Sequence, residues 1–240
     1  MSPLLACRTS PAAGMAGRWL LIPTGSCEAH GPHLPLDTDV RISEEMAVRA
    51  ARTLGTALVA PTLPYGVTHY AEAFPGTISV PAEVVIATLV AIGEAAAAQG
   101  AVGIAIANSH FEPAHIDAIF EAVKQLRGRV RVPVVFPNVA SRRYASRLGA
   151  EFASGACHAG AYESSLVLAM APDLVDEAAR GALEEVPIDL AAAMRAGAHD
   201  FVEAGGTRAY FGAPAAATRA DGERWLDELA TILVEAIRAG

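Results

Sequence analysis

Short segments that are apolar throughout alternate with longer segments that have helical periodicity, and this order limits the possible folds more than any other feature. Strands that are apolar on both faces are typical of a parallel sheet covered by helices. The pattern predicts four strands, over residues 19–23, 57–62, 102–107 and 130–136. It also predicts five helices, over residues 41–54, 81–99, 113–126, 163–171 and 221–239. We therefore expect one α/β domain with a mainly parallel sheet.

Composition and charge exclude several classes of protein. Of the 240 residues, 52% are hydrophobic and 18% are charged, which suits a large buried core. The formal net charge of −8 argues against nucleic acid as a partner, because phosphate neutralisation requires clustered lysine and arginine. The apolar stretch over residues 84–98 contains Glu94 and is too short to span a bilayer, so we expect no membrane association.

The cysteines and the N-terminus indicate where the chain works. Three widely spaced cysteines without a paired motif favour a reducing compartment, and the first residues lack the pattern of a signal peptide. We therefore predict a cytoplasmic protein. Prolines and glycines in the first residues predict a flexible arm over residues 1–16, followed by a single domain over residues 17–240.

The loop GSCEAHGPHLPLDTD, residues 25–39, carries the densest set of metal-binding side chains. It follows a predicted strand, and sites in parallel sheets gather beyond the carboxyl ends of strands. Glu28 and His30 are two residues apart, so an extended loop places them on the same side. Asp39 follows after a turn stiffened by two prolines. The spacing favours a metal site over the alternative, a polar turn with hydrogen-bonded caps. Cys27 lies in this loop without a nearby base, and we interpret it as a packing residue.

A second polar cluster, Asn-Ser-His-Phe-Glu-Pro over residues 108–113, directly follows the third predicted strand. His110 and Glu112 repeat the two-residue spacing of the first cluster. A capping loop before a helix would have a similar sequence, and the case for a site rests on the two clusters meeting at one edge of the sheet. His115 falls in the following helix, and we interpret it as structural.

A third cluster, residues 157–165, begins with Cys157 and reads Cys-His-Ala-Gly-Ala-Tyr-Glu-Ser-Ser. His158 can serve as a general acid or base, because imidazole titrates near neutral pH. Glu163 is open to three interpretations: a metal ligand, a substrate anchor or a carboxylate at a helix N-terminus. Together the clusters offer more ligands than one zinc ion needs, which favours two ions with Asp39 as the bridge. Mixed nitrogen and oxygen ligands suit zinc or manganese, with iron as an alternative.

At these residues the chain resembles the creatininase family of metal-dependent amidohydrolases. The family motif G-S-x-E-x-H-G-x-H-L-P-L-x-T-D matches residues 25–39 almost throughout, and further matches lie at residues 74–79, 158–165 and 212–223. The resemblance implies a three-layer αβα sandwich and a homohexamer. It implies Glu28, His30, Asp39 and His110 as metal ligands, with Asp39 bridging the two ions. It also implies Glu112 as a fifth ligand, on the second ion, and His158 as a proton shuttle.

From these observations we predict a binuclear hydrolase that cleaves a non-peptide C–N bond in a small cyclic amide or formamide. In this hypothesis a metal-bridging hydroxide attacks the carbonyl, and His158 delivers the proton to the leaving nitrogen. We assign catalytic roles to His158 and Glu163 and substrate contacts to Phe111, Thr77 and Ser79. Creatinine is disfavoured as a substrate, because the late tryptophans of the creatininase pocket are missing here.

Two other functions remain open at this stage. One is a peptidase of the kind that matures the mycofactocin precursor peptide, although residues 108–113 depart from the N-G-H-G-G-N of many family members. The other is a non-catalytic, metal-binding scaffold, which the complete set of proposed ligands disfavours.

Overall fold

The central element of the fold is a parallel β-sheet, seen in a computed structural model that describes residues 2–155 and 158–240. Within these residues four strands pair in the order β2-β1-β3-β4. All three pairings are parallel. The strands are β1 Trp19–Thr24, β2 Ala57–Val59, β3 Gly103–Asn108 and β4 Val134–Val135.

Helices of very different length connect and follow the strands. The long ones are α1 Thr38–Leu54, α2 Ala82–Ala98, α3 Pro113–Arg129, α6 Ala161–Met170 and α9 Arg219–Ala239. The short ones are α4 Arg142–Ala145, α5 Ala150–Ser154, α7 Glu177–Gly181 and α8 Leu190–Arg195. Single 3₁₀ turns lie at Leu5–Cys7, Ser10–Ala12, Pro172–Leu174 and Pro214–Ala216. Among the described residues, no helix is both long and apolar enough to cross a membrane.

The two faces of the sheet carry separate hydrophobic cores, as the alternation of side chains along a strand requires. Leu21 and Ala105 belong to a core that includes α1, α6 and α9. Leu20 and Ile104 belong to a core on the opposite face with α2 and α3. The sheet therefore lies between two helical layers, and the expected α/β class with a parallel sheet is confirmed.

The structure corrects several predicted boundaries. The strand expected over 130–136 shrinks to two residues, because Pro133 has no N–H for a ladder and α3 continues to Arg129. The strand expected over 57–62 ends at Val59, close to Pro61. Four short helices were not predicted, since four to six residues are too few for a helical period to be recognised.

The N-terminal segment lies against the edge of the sheet. Leu4 forms a parallel bridge with Val59, and the N–H of Val59 donates to the carbonyl of Pro3 (3.0 Å). The segment thus covers backbone groups that an edge strand would expose. The mobility of residues 1–16 stays a prediction.

The register of the two central strands places the candidate site. Thr24 at the end of β1 pairs with Asn108 at the end of β3. The loops that follow these residues are the first and second polar clusters, and they leave the sheet side by side.

Candidate metal centre

The loop after β1 folds back on the start of α1, and this brings Asp39 beside the other acidic and imidazole groups. A Cβ at Gly25 would lie 2.7 Å from the carbonyl carbon of Asp39, so only glycine permits this close approach. The N–H of Glu28 donates to the carbonyl of Leu36 (3.0 Å), which closes the loop. Asp39 lies in the first turn of α1 and is 1% exposed.

Two groups of buried side chains share Asp39. In each group the three candidate ligand atoms lie within 4.8 Å of one another. The first group joins Asp39 to Glu28 and His110; His110 Nδ1 lies 3.1 Å from Asp39 Oδ2 and 3.4 Å from Glu28 Oε1. The second joins Asp39 to His30 and Glu163; His30 Nε2 lies 3.2 Å from Asp39 Oδ1 and 3.6 Å from Glu163 Oε2. Such a pair of sites with one common carboxylate is the geometry that two neighbouring divalent ions need.

A third group places His158 next to this centre. Glu28, His30 and His158 also offer ligand atoms within 4.8 Å. His158 Nδ1 lies 3.7 Å from Glu28 Oε1, and its ring is 4.4 Å from that of His30. His158 is therefore able to reach either an ion or a substrate bound between the groups.

Backbone carbonyls orient all three imidazoles. His30 Nδ1 donates to the carbonyl of Glu28 (3.1 Å), and His110 Nε2 to that of Val67 (2.7 Å). His158 Nε2 donates to the carbonyl of Ala29 (2.9 Å). A nitrogen that faces a carbonyl carries the proton, so in a neutral ring the other nitrogen points its lone pair into the centre. This arrangement around metal-binding histidines fixes the ring and its tautomer.

The carboxylates are also held from outside the centre. The hydroxyl of Thr68 donates to Glu28 Oε2, and the N–H of Ala159 donates to Glu163 Oε2 (2.6 Å). The hydroxyl of Ser109 donates to the backbone carbonyl of Asp39 (2.7 Å). The centre is therefore preorganised by its surroundings.

Burial and mutual attraction shift the pKa values of the carboxyl groups. Burial would raise the pKa of Glu28 and of Asp39. The imidazoles of His110 and His30 outweigh this effect and lower both pKa values below their usual range. For Glu163 burial dominates and raises the pKa to about 8, although His30 opposes the rise.

The imidazoles divide into two classes. Burial would lower the pKa of His30, but the carboxylates of Asp39 and Glu163 raise it to about 10. Burial is likewise outweighed at His110, whose pKa lies well above the ordinary value because of Glu28 and Asp39. Burial, helped by the charge of His30, lowers the pKa of His158 to about 4. Without metal, protons on His30 and His110 therefore balance the acidic charge.

Orphaned buried atoms show that the residues fit metal ions. Among the described residues, His30 Nε2 and Asp39 Oδ2 are buried and make no hydrogen bond. A buried polar atom without a partner is unfavourable, and an ion coordinated by these atoms would satisfy both. The nitrogen and oxygen donors suit zinc or manganese.

The carboxylate that joins His30 and Asp39 is that of Glu163, whereas the family resemblance implied Glu112 as the fifth ligand, on the second ion. Glu112 is in none of the three groups found in residues 2–155 and 158–240. Its Oε2 accepts the N–H of Tyr70 (3.2 Å), and burial raises its pKa. It lines the same cavity as the centre.

A cavity of about 550 Å³ opens onto the centre. Its lining includes all the candidate ligands except His30. It also includes four aromatic residues and two exposed arginines, which are Tyr70, Phe111, Phe152, Phe201, Arg142 and Arg195. Phe111 was expected at the substrate. Thr77 and Ser79, also expected there, are not among the lining residues; their hydroxyls accept the N–H groups of Ala29 (3.1 Å) and Thr68 (2.9 Å).

Other histidines flank the centre. His115 is fully buried, and burial together with His110 lowers its pKa to about 3. It accepts the N–H of Val67 (3.3 Å), which agrees with a structural role. His33 Nε2 contacts Ser164 Oγ (2.7 Å) and was not singled out from the sequence. Cys157 lies outside the described residues.

Comparison with known proteins decides the family. The family model for creatininase, described as creatinine amidohydrolase, matches residues 9–237. The chain belongs to the creatininase family.

Its relatives divide between two activities. It is 34% identical to the mycofactocin precursor peptide peptidase of Mycolicibacterium smegmatis over 222 residues, which is 88% of this chain and 80% of that one. It is 32% identical to the creatinine amidohydrolase of Pseudomonas putida over 176 residues, 65% of this chain and 66% of that one.

The structural comparison agrees with the family. The crystal structure of a creatinine amidohydrolase (creatininase) superposes with a TM-score of 0.77 at 26% identity. The match covers 99% of this chain and 97% of the other. The chain is thus a creatininase-family hydrolase with His, Glu and Asp clusters able to bind metal.

Proposed function

We propose that this chain hydrolyses an amide C–N bond at a centre of two divalent ions, one held by Glu28, Asp39 and His110 and the other by His30, Asp39 and Glu163. The observation that carries the proposal is the shared carboxylate of Asp39, which lies between the two ligand groups. When bound, such ions lower the pKa of water and polarise a carbonyl oxygen.

His158 is the residue we propose to move the proton. Its Nε2 is fixed on a backbone carbonyl, so Nδ1 faces the centre with a free lone pair. Burial and the charge of His30 lower its pKa to about 4, so the ring is neutral at physiological pH and the lone pair of Nδ1 is free to take a proton from the attacking water. In this scheme it then passes that proton to the leaving nitrogen.

The relatives support a peptide as the substrate. The cavity volume of about 550 Å³ falls within the ~300–1,000 Å³ of typical ligand pockets and can admit either a peptide side chain or a small ring. The peptidase relative matches 88% of this chain, against 65% for creatinine amidohydrolase. We therefore place peptide-bond cleavage first. A small cyclic amide or formamide, which the sequence favoured, stays the second candidate because of the creatinine amidohydrolase match.

A substrate screen with a matched variant tests the proposal. Metal-free protein loaded with Zn²⁺ or Mn²⁺ is incubated with short peptides, lactams, hydantoins and formamides, and products are identified by mass spectrometry. We expect cleavage of a peptide by the wild type and none by Asp39→Asn. Equal activity in Asp39→Asn, or no hydrolysis of any compound by protein that holds two ions, would contradict the proposal; the second result favours the scaffold hypothesis.

The role of His158 needs its own control, because His158 also forms a ligand group with Glu28 and His30. We expect His158→Asn to retain two ions and to lower kcat by roughly 10²- to 10⁴-fold. Loss of an ion in this variant would make His158 a ligand instead of the proton carrier. The cytoplasmic location and the homohexamer stay predictions.

A further inference from the structure

The carboxylate of Glu151, on the short helix α5, accepts three backbone N–H groups. Oε1 accepts from Tyr162 (2.8 Å), and Oε2 accepts from Ala161 (3.0 Å) and Ala213 (2.8 Å). Two of these donors belong to the first turn of α6, and the third to the segment before the last helix. One side chain therefore joins three separate stretches of the chain.

Helix α6 depends on this carboxylate for its N-terminal capping. The residue at its N-cap position, Gly160, has no side chain to accept the free N–H groups of the first turn. A Cβ at Gly160 would lie 2.5 Å from Glu151 Oε1 and 2.5 Å from the carbonyl oxygen of Phe211. Glycine at this position thus admits the external carboxylate, which replaces the missing cap.

The segment held by Glu151 carries two groups of the metal centre. Glu163 lies in the first turn of α6, and its Oε2 accepts the N–H of Ala159. Ala159 is one of two non-glycine residues with positive φ among the described residues (φ 51°), a strained conformation that its surroundings must hold. The carbonyl of His158 accepts the N–H of Phe211 (2.7 Å). Small shifts of α6 would therefore move both Glu163 and the His158 ring.

Glu151 also borders the cavity without facing it. The next residues on α5, Phe152 and Ala153, line the cavity, whereas Glu151 is not among its lining residues. Within residues 2–155 and 158–240, the hydrogen bonds of its carboxylate run to backbone amides. It therefore acts through the residues that it holds in place and not on substrate.

We propose that Glu151 is a positioning residue that sets the affinity for the second ion, the one assigned to His30, Asp39 and Glu163. The inference rests on the proposed two-ion function. Glu151 fixes the start of α6 and so holds the Glu163 carboxylate in coordinating position. The first ion, assigned to Glu28, Asp39 and His110, has no ligand on α6 and is not controlled by Glu151.

The test compares wild type, Glu151→Gln and Asp176→Ala in calorimetric titrations of metal-free protein with Zn²⁺. Glutamine keeps the shape, but its NH₂ group faces at least one backbone donor where the carboxylate accepted a bond. We expect Glu151→Gln to weaken only the second ion, by roughly 10- to 100-fold as for other partners that orient metal ligands. Asp176→Ala is the matched control, since it removes the cap of α7, where Asp176 accepts the N–H of Ala179 (2.8 Å), and Asp176 has no hydrogen bond to a candidate ligand within the described residues.

Two further measurements separate positioning from general destabilisation. The melting temperature should fall by a similar amount in both variants. The absorption spectrum of the Co²⁺-loaded protein should change only in Glu151→Gln. Glu151→Asp, which keeps the charge but is shorter by one methylene, should give the same selective loss. Unchanged affinity for the second ion, or equal loss in the Asp176 variant, overturns the inference about Glu151 alone. A wild-type protein that takes up fewer than two ions overturns the two-ion function itself.

Discussion

Binding of the ions should release protons, because the metal-free centre balances its acidic charge with protons on the future ligands. His30 has a pKa of about 10, and that of His110 is also strongly raised. At pH 7.5 His30 therefore holds about one proton, His110 is largely protonated, and Glu163, with a pKa of about 8, holds about three-quarters of a proton. A metal ion requires the neutral imidazole and the ionised carboxylate. Loading both ions should release between two and three protons per chain.

Calorimetry measures this number directly. Metal-free protein is titrated with Zn²⁺ at pH 7.5 in two buffers that differ in ionisation enthalpy, and the difference in heat gives the protons released. For each proton released, the apparent affinity for the metal should rise by about tenfold for each unit of increase in pH, as long as the pH stays below the pKa of the group that loses the proton. Two protons or more, with an affinity that rises from pH 6 to pH 8, would support the reasoning.

Histidines outside the ligand groups provide the control. His115 has a pKa of about 3 and is neutral at pH 7.5, so it contributes no proton. A His115→Asn protein that still binds two ions should release the same number as wild type. Release of less than one proton per chain by the wild type would refute the assigned ligands, because His30 alone should supply one.

Three further outcomes are expected. Metal-free protein should lose stability as pH rises from about 6.5 to 10. The pKa of His30 is raised to about 10 in the folded state, so the stability that its protonation contributes is complete below the pKa of the unfolded state and is lost above the pKa of the folded state. A melting temperature that rises over this interval would contradict the prediction. Thr68→Val removes the hydroxyl that donates to Glu28 and should weaken the first ion by roughly 10- to 100-fold, measured by titration; unchanged affinity would count against it. Gly103→Ala places a Cβ 2.5 Å from a tryptophan ring and should destabilise the fold by about 1–3 kcal/mol in urea unfolding. The control Gly128→Ala, with no atom within 4 Å, should be neutral or stabilising by up to about 1 kcal/mol, and equal effects would refute the packing argument.

The sequence was a good guide where periodicity and spacing report local structure. Uniformly apolar segments identified the central strands β1 and β3, and the register of these strands explains why the clusters after them meet. Edge elements were harder to predict, because their length depends on pairing. Val134–Val135 pairs only over two residues, since the proline before it has no donor.

The assignment of carboxylates to ions shows the limit of spacing. Glu112 and Glu163 both follow a histidine closely in sequence, but Glu163 reaches His30 and Asp39 only because α6 packs with α1 and α9, which are distant in sequence. The sequence left Glu163 open between ligand, anchor and cap for that reason. Thr68 and Glu151 carried no signal at all, because their partners lie 40 residues away or are backbone groups of other segments.

A crystal of the zinc-loaded protein, with anomalous data collected at the zinc edge, tests the central claim most directly. Two peaks on opposite sides of Asp39 are predicted, one coordinated by Glu28 and His110 and the other by His30 and Glu163. A single peak, or a second ion held without Asp39, would contradict the account.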